Sequence, residues 1–218
     1  METLMNTLTK MAPMLERLFT LSDAARPVFS DVPGSERERL MRSKTEYLEL
    51  YGALKEFPLA VSREAGALLY MLSRAIGAQT IVEFGTSFGV STLHLAAAVR
   101  DNGGGRVITT EFEPSKAERA LEHFVAGGVT DLIEIRLGDA MQTLASDLPE
   151  TIDLVLLDGA KALYPEILAM LESRLRPGAL IIADNADYAP DYLARVRSAE
   201  AGYLSVPFGD DVELSMKL

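Results

Sequence analysis

Oxygen-bearing side chains recur where short apolar runs end. Asp158 follows the run Asp153 to Leu157, and Asp184 with Asn185 follows Leu180 to Ala183. Two carboxylates and an amide are hard oxygen donors, which select Mg²⁺, Ca²⁺ or Mn²⁺ over zinc. Three such donors leave about three positions of an octahedron for substrate and water. The same Asp-Asn pair would also form an Asx turn. Further upstream, Glu83-Phe84-Gly85-Thr86-Ser87-Phe88-Gly89-Val90-Ser91-Thr92 reads as a strand passing into a helix. Its glycines let backbone approach a ligand, and the amides of a helix start bind carboxylate or phosphate. The spacing is G-x-x-x-G, not the G-x-G-x-x-G of dinucleotide folds, so a tight strand-to-helix turn is the competing reading. Glu111 stands at the end of another run, where a carboxylate accepts from ribose hydroxyls or is merely solvated. Asp139, after Gly138, suits an adenine amino group or a helix cap. His94 and His123 fall within expected helices with no acid or nucleophile to pair with, so both read as packing or surface groups.

These residues need elements to hold them. From Val61 onward, helices alternate with short apolar strands. Helices are expected over 62–76, 91–99, 115–126, 140–146, 164–174 and 190–198. Strands are expected over 80–84, 106–110, 132–136, 153–157, 180–183, 203–207 and 212–217. Apolar strands alternating with helices indicate an α/β protein with a mostly parallel sheet and helices on both faces. In such a sheet ligands sit at the carboxyl ends of the strands. That is where Glu83, Glu111, Asp139, Asp158, Lys161, Asp184 and Asn185 fall.

Residues 1–57 differ. Leu4, Leu8, Met11, Leu15, Leu18 and Phe19 recur at helical spacing and form one apolar stripe. Ser30-Asp31-Val32-Pro33-Gly34 reads as a turn. Ser35 with Glu38 would open a second helix as a capping box, burying Leu40, Tyr47, Leu48 and Tyr51. The extension is expected either to pack on the core edge or to serve as a lid or dimer arm.

Composition narrows the classes. The chain has 218 residues, 21 Lys and Arg against 32 Asp and Glu, a formal net charge of −11, and no cysteine. The length suits one domain with a short extension. The acidic balance argues against nucleic-acid binding. The absence of cysteine excludes disulfides, thiolate metal sites and a thiol nucleophile. The longest run without Lys, Arg, Asp or Glu, Phe84 to Val99, is short for a membrane span and carries polar residues. Glu2 and Lys10 interrupt any signal-peptide core. The expectation is a cytoplasmic protein without membrane association.

The sequence resembles the cation-dependent class I O-methyltransferases that use S-adenosylmethionine, a family with catechol and caffeoyl-CoA branches. The resemblance covers about residues 57–218. It rests on Ile81 to Leu93 (IVEFGTSFGVSTL), Val107 to Pro114 (VITTEFEP), Leu156 to Lys161 (LLDGAK) with Tyr164, and Leu175 to Asn185 (LRPGALIIADN). The stretch Ala189 to Arg197 is closer to the catechol branch. The resemblance implies a Rossmann-like methyltransferase fold: a mostly parallel seven-stranded sheet with an antiparallel C-terminal strand. It implies a helical extension over 1–57 and a methyltransferase domain over 58–218. By position it assigns Val61, Glu83, Gly85, Ser91, Glu111, Asp139, Ala140 and Asp158 to the cofactor S-adenosylmethionine. Asp158, Asp184 and Asn185 become ligands of a divalent cation, expected to be Mg²⁺, and Lys161 the general base. The implied partners are a small catechol-like or hydroxylated aromatic acceptor and a second copy of the chain, a homodimer through the N-terminal helices.

Some residues depart from the family pattern. Ala160 replaces the second acid of a D-x-D-K motif. The segment after Asn185 is short, and no glutamate between Tyr203 and Asp211 matches the substrate-binding acid of the catechol branch. Asp210-Asp211 replaces an Asp-Gly. These departures bear on the acceptor rather than the cofactor. They keep open a nonaromatic natural-product hydroxyl as acceptor. A nicotinamide-dependent oxidoreductase would need the missing glycine pattern. A non-catalytic binding protein would not need Asp158, Lys161, Asp184 and Asn185 together.

Overall fold

The computed structural model describes residues 6–29 and 34–218. Leu4 and residues Ser30 to Pro33 of the expected turn lie outside the described residues. Three N-terminal helices, α1 (Thr7–Phe29), α2 (Gly34–Arg42) and α3 (Tyr47–Ala53), precede α4 (Arg63–Ala75). Then follow β1 (Thr80–Phe84), α5 (Val90–Asp101), β2 (Arg106–Glu111), α6 (Pro114–Gly127), β3 (Ile133–Leu137), α7 (Ala140–Thr143) and β4 (Ile152–Leu157). The chain ends with α8 (Tyr164–Leu171), β5 (Leu175–Ala183), α9 (Pro190–Val196), β6 (Tyr203–Phe208) and β7 (Val212–Lys217).

The strands form one seven-stranded sheet in the order β3-β2-β1-β4-β5-β7-β6. All neighbours pair in parallel except β7, which runs antiparallel to both β5 and β6. Period-two alternation divides the strand side chains between two cores. Ile81, Val107, Leu154 and Leu156 face a core built with α1, α4, α5 and α6. Val82, Ile108, Val155 and Leu157 face a second core built with α8 and α9. Strand order reverses between β1 and β4, so the crevice at their carboxyl ends is the expected ligand position.

The α1 stripe is spent on its own chain. Met11, Leu15, Leu18 and Phe19 are buried in the first core, with Leu8 packed against it. The Asp101 carboxylate at the end of α5 accepts from the Thr7 amide and hydroxyl and from the Tyr70 hydroxyl, tying α1 to α4 and α5.

The second N-terminal helix differs from expectation. It begins at Gly34, so Ser35 lies in its first turn and is not the cap. It also breaks: Ser43 Oγ accepts from the amides of Thr45 and Glu46, forming a local turn before α3. Of the four apolar residues expected to be buried, Leu48 is 40% exposed. Met41, Leu50 and Leu54 form the small core there instead.

Candidate active site

The loop after β1 is shaped by two close approaches. Gly85 has φ +103°, and a Cβ there would lie 2.7 Å from the Asp158 carbonyl oxygen. Gly89 caps α5 in the left-handed region, and a Cβ there would lie 2.4 Å from the Phe124 ring. Glycine at both positions lets the loop lie against the start of the β4 exit and against α6. Beneath the loop, the buried Glu83 carboxylate accepts from Ser91 Oγ at 2.6 Å, Thr92 Oγ1 at 2.5 Å and Thr109 Oγ1 at 2.5 Å. Burial pushes the Glu83 carboxyl up to about 7 despite these donors.

Glu111 closes the neighbouring strand. Its two oxygens accept from the Ser87 amide at 2.8 Å and the Glu113 amide at 2.9 Å. Burial raises its pKa, against those hydrogen bonds. It is therefore an anchored carboxylate, not a solvated one. Asp139 accepts from the Met141 amide at 2.9 Å and caps α7, so the cap reading holds. Gly85, Glu111, Asp139, Ala140 and Asp158 line one cavity, roofed by Tyr47, Leu48, Tyr51 and Gly52 of α3. The exposed Leu48 thus faces a cavity.

Asp158, Lys161, Asp184 and Asn185 line a second cavity of about 340 Å³. Lys161 is 3% exposed and no surface lysine. Its Nζ donates to Asp158 Oδ1 at 2.9 Å and lies 4.0 Å from Asp184 Oδ2. Burial opposes its charge, but the Asp158 carboxylate foremost outweighs it and holds the pKa above the ordinary lysine range. Burial and then the neighbouring Asp158 carboxylate push Asp184 up. The Tyr164 hydroxyl donates to the Asp184 carbonyl at 2.8 Å and fixes that strand end. Asn185 adopts a left-handed φ of 49°, and its Nδ2 donates to Asp211 Oδ2 at 2.9 Å.

The two cavities share Tyr51, Leu59 and Asp158. The remaining expected residues sit apart. Val61, Glu83 and Ser91 are buried and line neither cavity. Both histidines are packing groups: Nδ1 of His94 bonds the Val90 carbonyl and Nδ1 of His123 the Phe88 carbonyl, each at 2.8 Å. Leu59 and Lys116, which line the cavities, carry no motif that marks them, and Tyr51, which lines both, is marked by helical spacing only as a packing residue.

Among the described residues no group of three His, Cys, Asp or Glu side chains converges on a metal position. The donor set at hand is two carboxylates and a carboxamide. That set fits a hard divalent cation. Buried carboxylates pressed together, with Asp184 pushed up in consequence, form a local excess of negative charge that such a cation would relieve.

Comparison with known proteins agrees with this architecture. Residues 82–186 match a family described as a methyltransferase domain. A catechol O-methyltransferase of Mycobacterium tuberculosis is 34% identical over 143 residues, 66% of this chain and 64% of the relative. A catechol O-methyltransferase of Niastella koreensis is 35% identical over 130 residues, 58% of each chain. The crystal structure of the O-methyltransferase TomG from Streptomyces achromogenes, involved in tomaymycin synthesis and in complex with SAM, superposes with a TM-score of 0.65 at 27% identity. It covers 83% of this chain and 93% of that one. Sheet order, strand-end crevice and these likenesses define a Rossmann-like class I methyltransferase fold. The chain is similar to class I O-methyltransferases, with catechol O-methyltransferases among its relatives. It spans about three-fifths of the length of the curated relatives it matches.

Proposed function

We propose that this protein transfers a methyl group from S-adenosylmethionine to a hydroxyl of a small catechol-like or hydroxylated aromatic acceptor. One observation carries the reading: two cavities meet at Asp158, with Tyr51 and Leu59 at the junction. The cofactor belongs in the cavity of Gly85, Glu111, Asp139 and Ala140, the acceptor in that of Lys161, Asp184 and Asn185. Glu83 and Ser91 support the cofactor loop from below, and Val61 supports the entrance by packing.

Asp158, Asp184 and Asn185 would hold the divalent cation, Mg²⁺ in our reading. When bound, it would supply Lewis acidity that lowers the acceptor hydroxyl pKa. Lys161 is the general base in this reading: the cation's charge beside it would lower the ammonium's pKa so that its proton passes to solvent, and the neutral Nζ would then take the hydroxyl proton. The apolar lining from Met41, Leu50, Leu54 and Phe57 would exclude water and grip an aromatic ring. Acceleration would come mainly from positioning, worth about 7–11 kcal/mol in well-oriented systems. We read residues 1–57 as a lid-forming extension on a domain of residues 58–218, since α1, α2 and α3 supply Ser22, Met41 and Leu50 to the acceptor cavity.

The test is methyl transfer from labelled S-adenosylmethionine to a panel of catechols and hydroxylated aromatics, with Mg²⁺ and with EDTA. Turnover should require the cation and fall at least a hundredfold in Asp184→Ala, the order of losing one electrostatic stabiliser. Turnover that survives EDTA would refute the cation-bridged reading.

A further inference from the structure

Lys116 stands in the first turn of α6, five residues past Glu111. It is 4% exposed and lines the cavity of Gly85, Glu111 and Asp139. Among the described residues its ammonium makes no hydrogen bond and no ion pair. The residue is buried, but its Nζ is not sealed from solvent, so the unpartnered ammonium opens into the cavity that the residue lines. A lysine in this state is pre-set for a ligand: it offers three donors and no acceptor.

The surroundings select which part of a ligand it meets. Glu111, Glu113 and Asp158 are the acidic groups that act on Lys116, and Arg119 is the cation. Burial pulls its pKa down while those carboxylates, Glu111 first, hold it up. A ligand carboxylate would be repelled by the three acids around it. A neutral acceptor would not, which points to a hydroxyl or a ring nitrogen. Glu111 already accepts two backbone amides, one on each oxygen, so it is a fixed acceptor beside a free donor. An acceptor and a donor side by side match a sugar hydroxyl, which both gives and takes a hydrogen bond.

We propose that Lys116 is a binding residue for the nucleoside part of the cofactor, donating from Nζ to a ribose hydroxyl or purine ring nitrogen beside Glu111. This rests on the cofactor reading above. It makes Lys116 a determinant of nucleoside affinity that takes no part in methyl transfer.

Calorimetric binding of S-adenosylhomocysteine and of 5′-methylthioadenosine, which lacks the amino-acid end, tests it in the unaltered full chain, Lys116→Met and Lys116→Gln. The methionine variant should weaken both ligands by about tenfold, and glutamine, which retains donors, by less. Thermal melting without ligand should leave Lys116→Met as stable as the unaltered chain, because the ammonium makes no hydrogen bond or ion pair in the fold. Equal affinities in all three chains would overturn the proposal. So would weakening confined to S-adenosylhomocysteine, which would place the contact on the amino acid. A methionine variant that melts lower or fails to fold would mark Lys116 as structural. If the unaltered chain binds neither ligand, the methyltransferase reading itself fails, and this assignment with it.

Discussion

Glu83 has no solvent exposure, and three hydroxyl donors surround it. Its carboxyl, ordinarily near 4.5, is pushed up to about 7 by burial. Between those values the folded chain keeps a proton that the unfolded chain has released. Stability therefore falls as pH rises through that window and is flat with respect to this group on either side. The difference amounts to about 3 kcal/mol. Glu83→Gln, which mimics the neutral acid, should remove that slope, so that the unaltered chain and the variant diverge in urea midpoint between pH 4.5 and 7. Parallel profiles would show that Glu83 stays ionised in its clasp. The sequence placed Glu83 in the cofactor loop but not this chemistry. Thr109 supplies one donor from β2, and nothing marks a strand threonine as the partner of a residue 26 positions away. Asp158, Asp184 and Asn185 were legible because each ends an apolar run. Lys116 was not, because only the folded chain shows that it lacks a partner.

At the scale of elements, the strands were legible and the N-terminal helices only partly so. Apolar alternation set β1 at its observed bounds. β5 starts at Leu175, well before the expected 180, because the register shifts between Ile152 and Leu154 and accommodates Arg176-Pro177-Gly178. Turn residues that look like a loop are thereby carried inside a strand, with Arg176 Nε held by Asp153 Oδ1 at 2.6 Å. The α2–α3 break leaves no mark in the helical spacing because it depends on one serine hydroxyl turning back on the backbone. Leu48 was read as core because its spacing is helical, yet spacing does not distinguish a core from a cavity roof. The loop after β1 gives a sharper prediction. Gly89→Ala places a methyl against Phe124 in a left-handed conformation. It should cost about 1–3 kcal/mol by overpacking, seen as a lower denaturation midpoint. An unchanged midpoint would mean that Phe124 moves aside freely. Tyr51→Ala opens the partition between the cavities and should raise the KM of both cofactor and acceptor severalfold. A change confined to one substrate would mean the cavities are not joined there.

For the whole molecule, charge couples to function. The formal net charge is −11, and Glu111, Glu113, Asp139, Asp158 and Asp184 gather at the crevice. No described helix is long and apolar enough to cross a membrane. In the proposed reaction the cofactor arrives with one net positive charge and leaves, after transfer, neutral. Clefts lined by one sign of charge focus their field and raise the association rate of an oppositely charged ligand. Salt shortens the reach of that field, from about 30 Å at 0.01 M to about 3 Å at 1 M. The association rate of S-adenosylmethionine should therefore fall by about tenfold as NaCl rises across that range, while that of S-adenosylhomocysteine changes little. The acidic molecule would capture the charged reactant and hold the neutral product less strongly, favouring turnover in one direction. Stopped-flow binding of both ligands across the salt series decides the matter: equal salt dependence for the two would show that the crevice charge is neutralised locally, with Lys161 and Lys116 cancelling it before it reaches solvent.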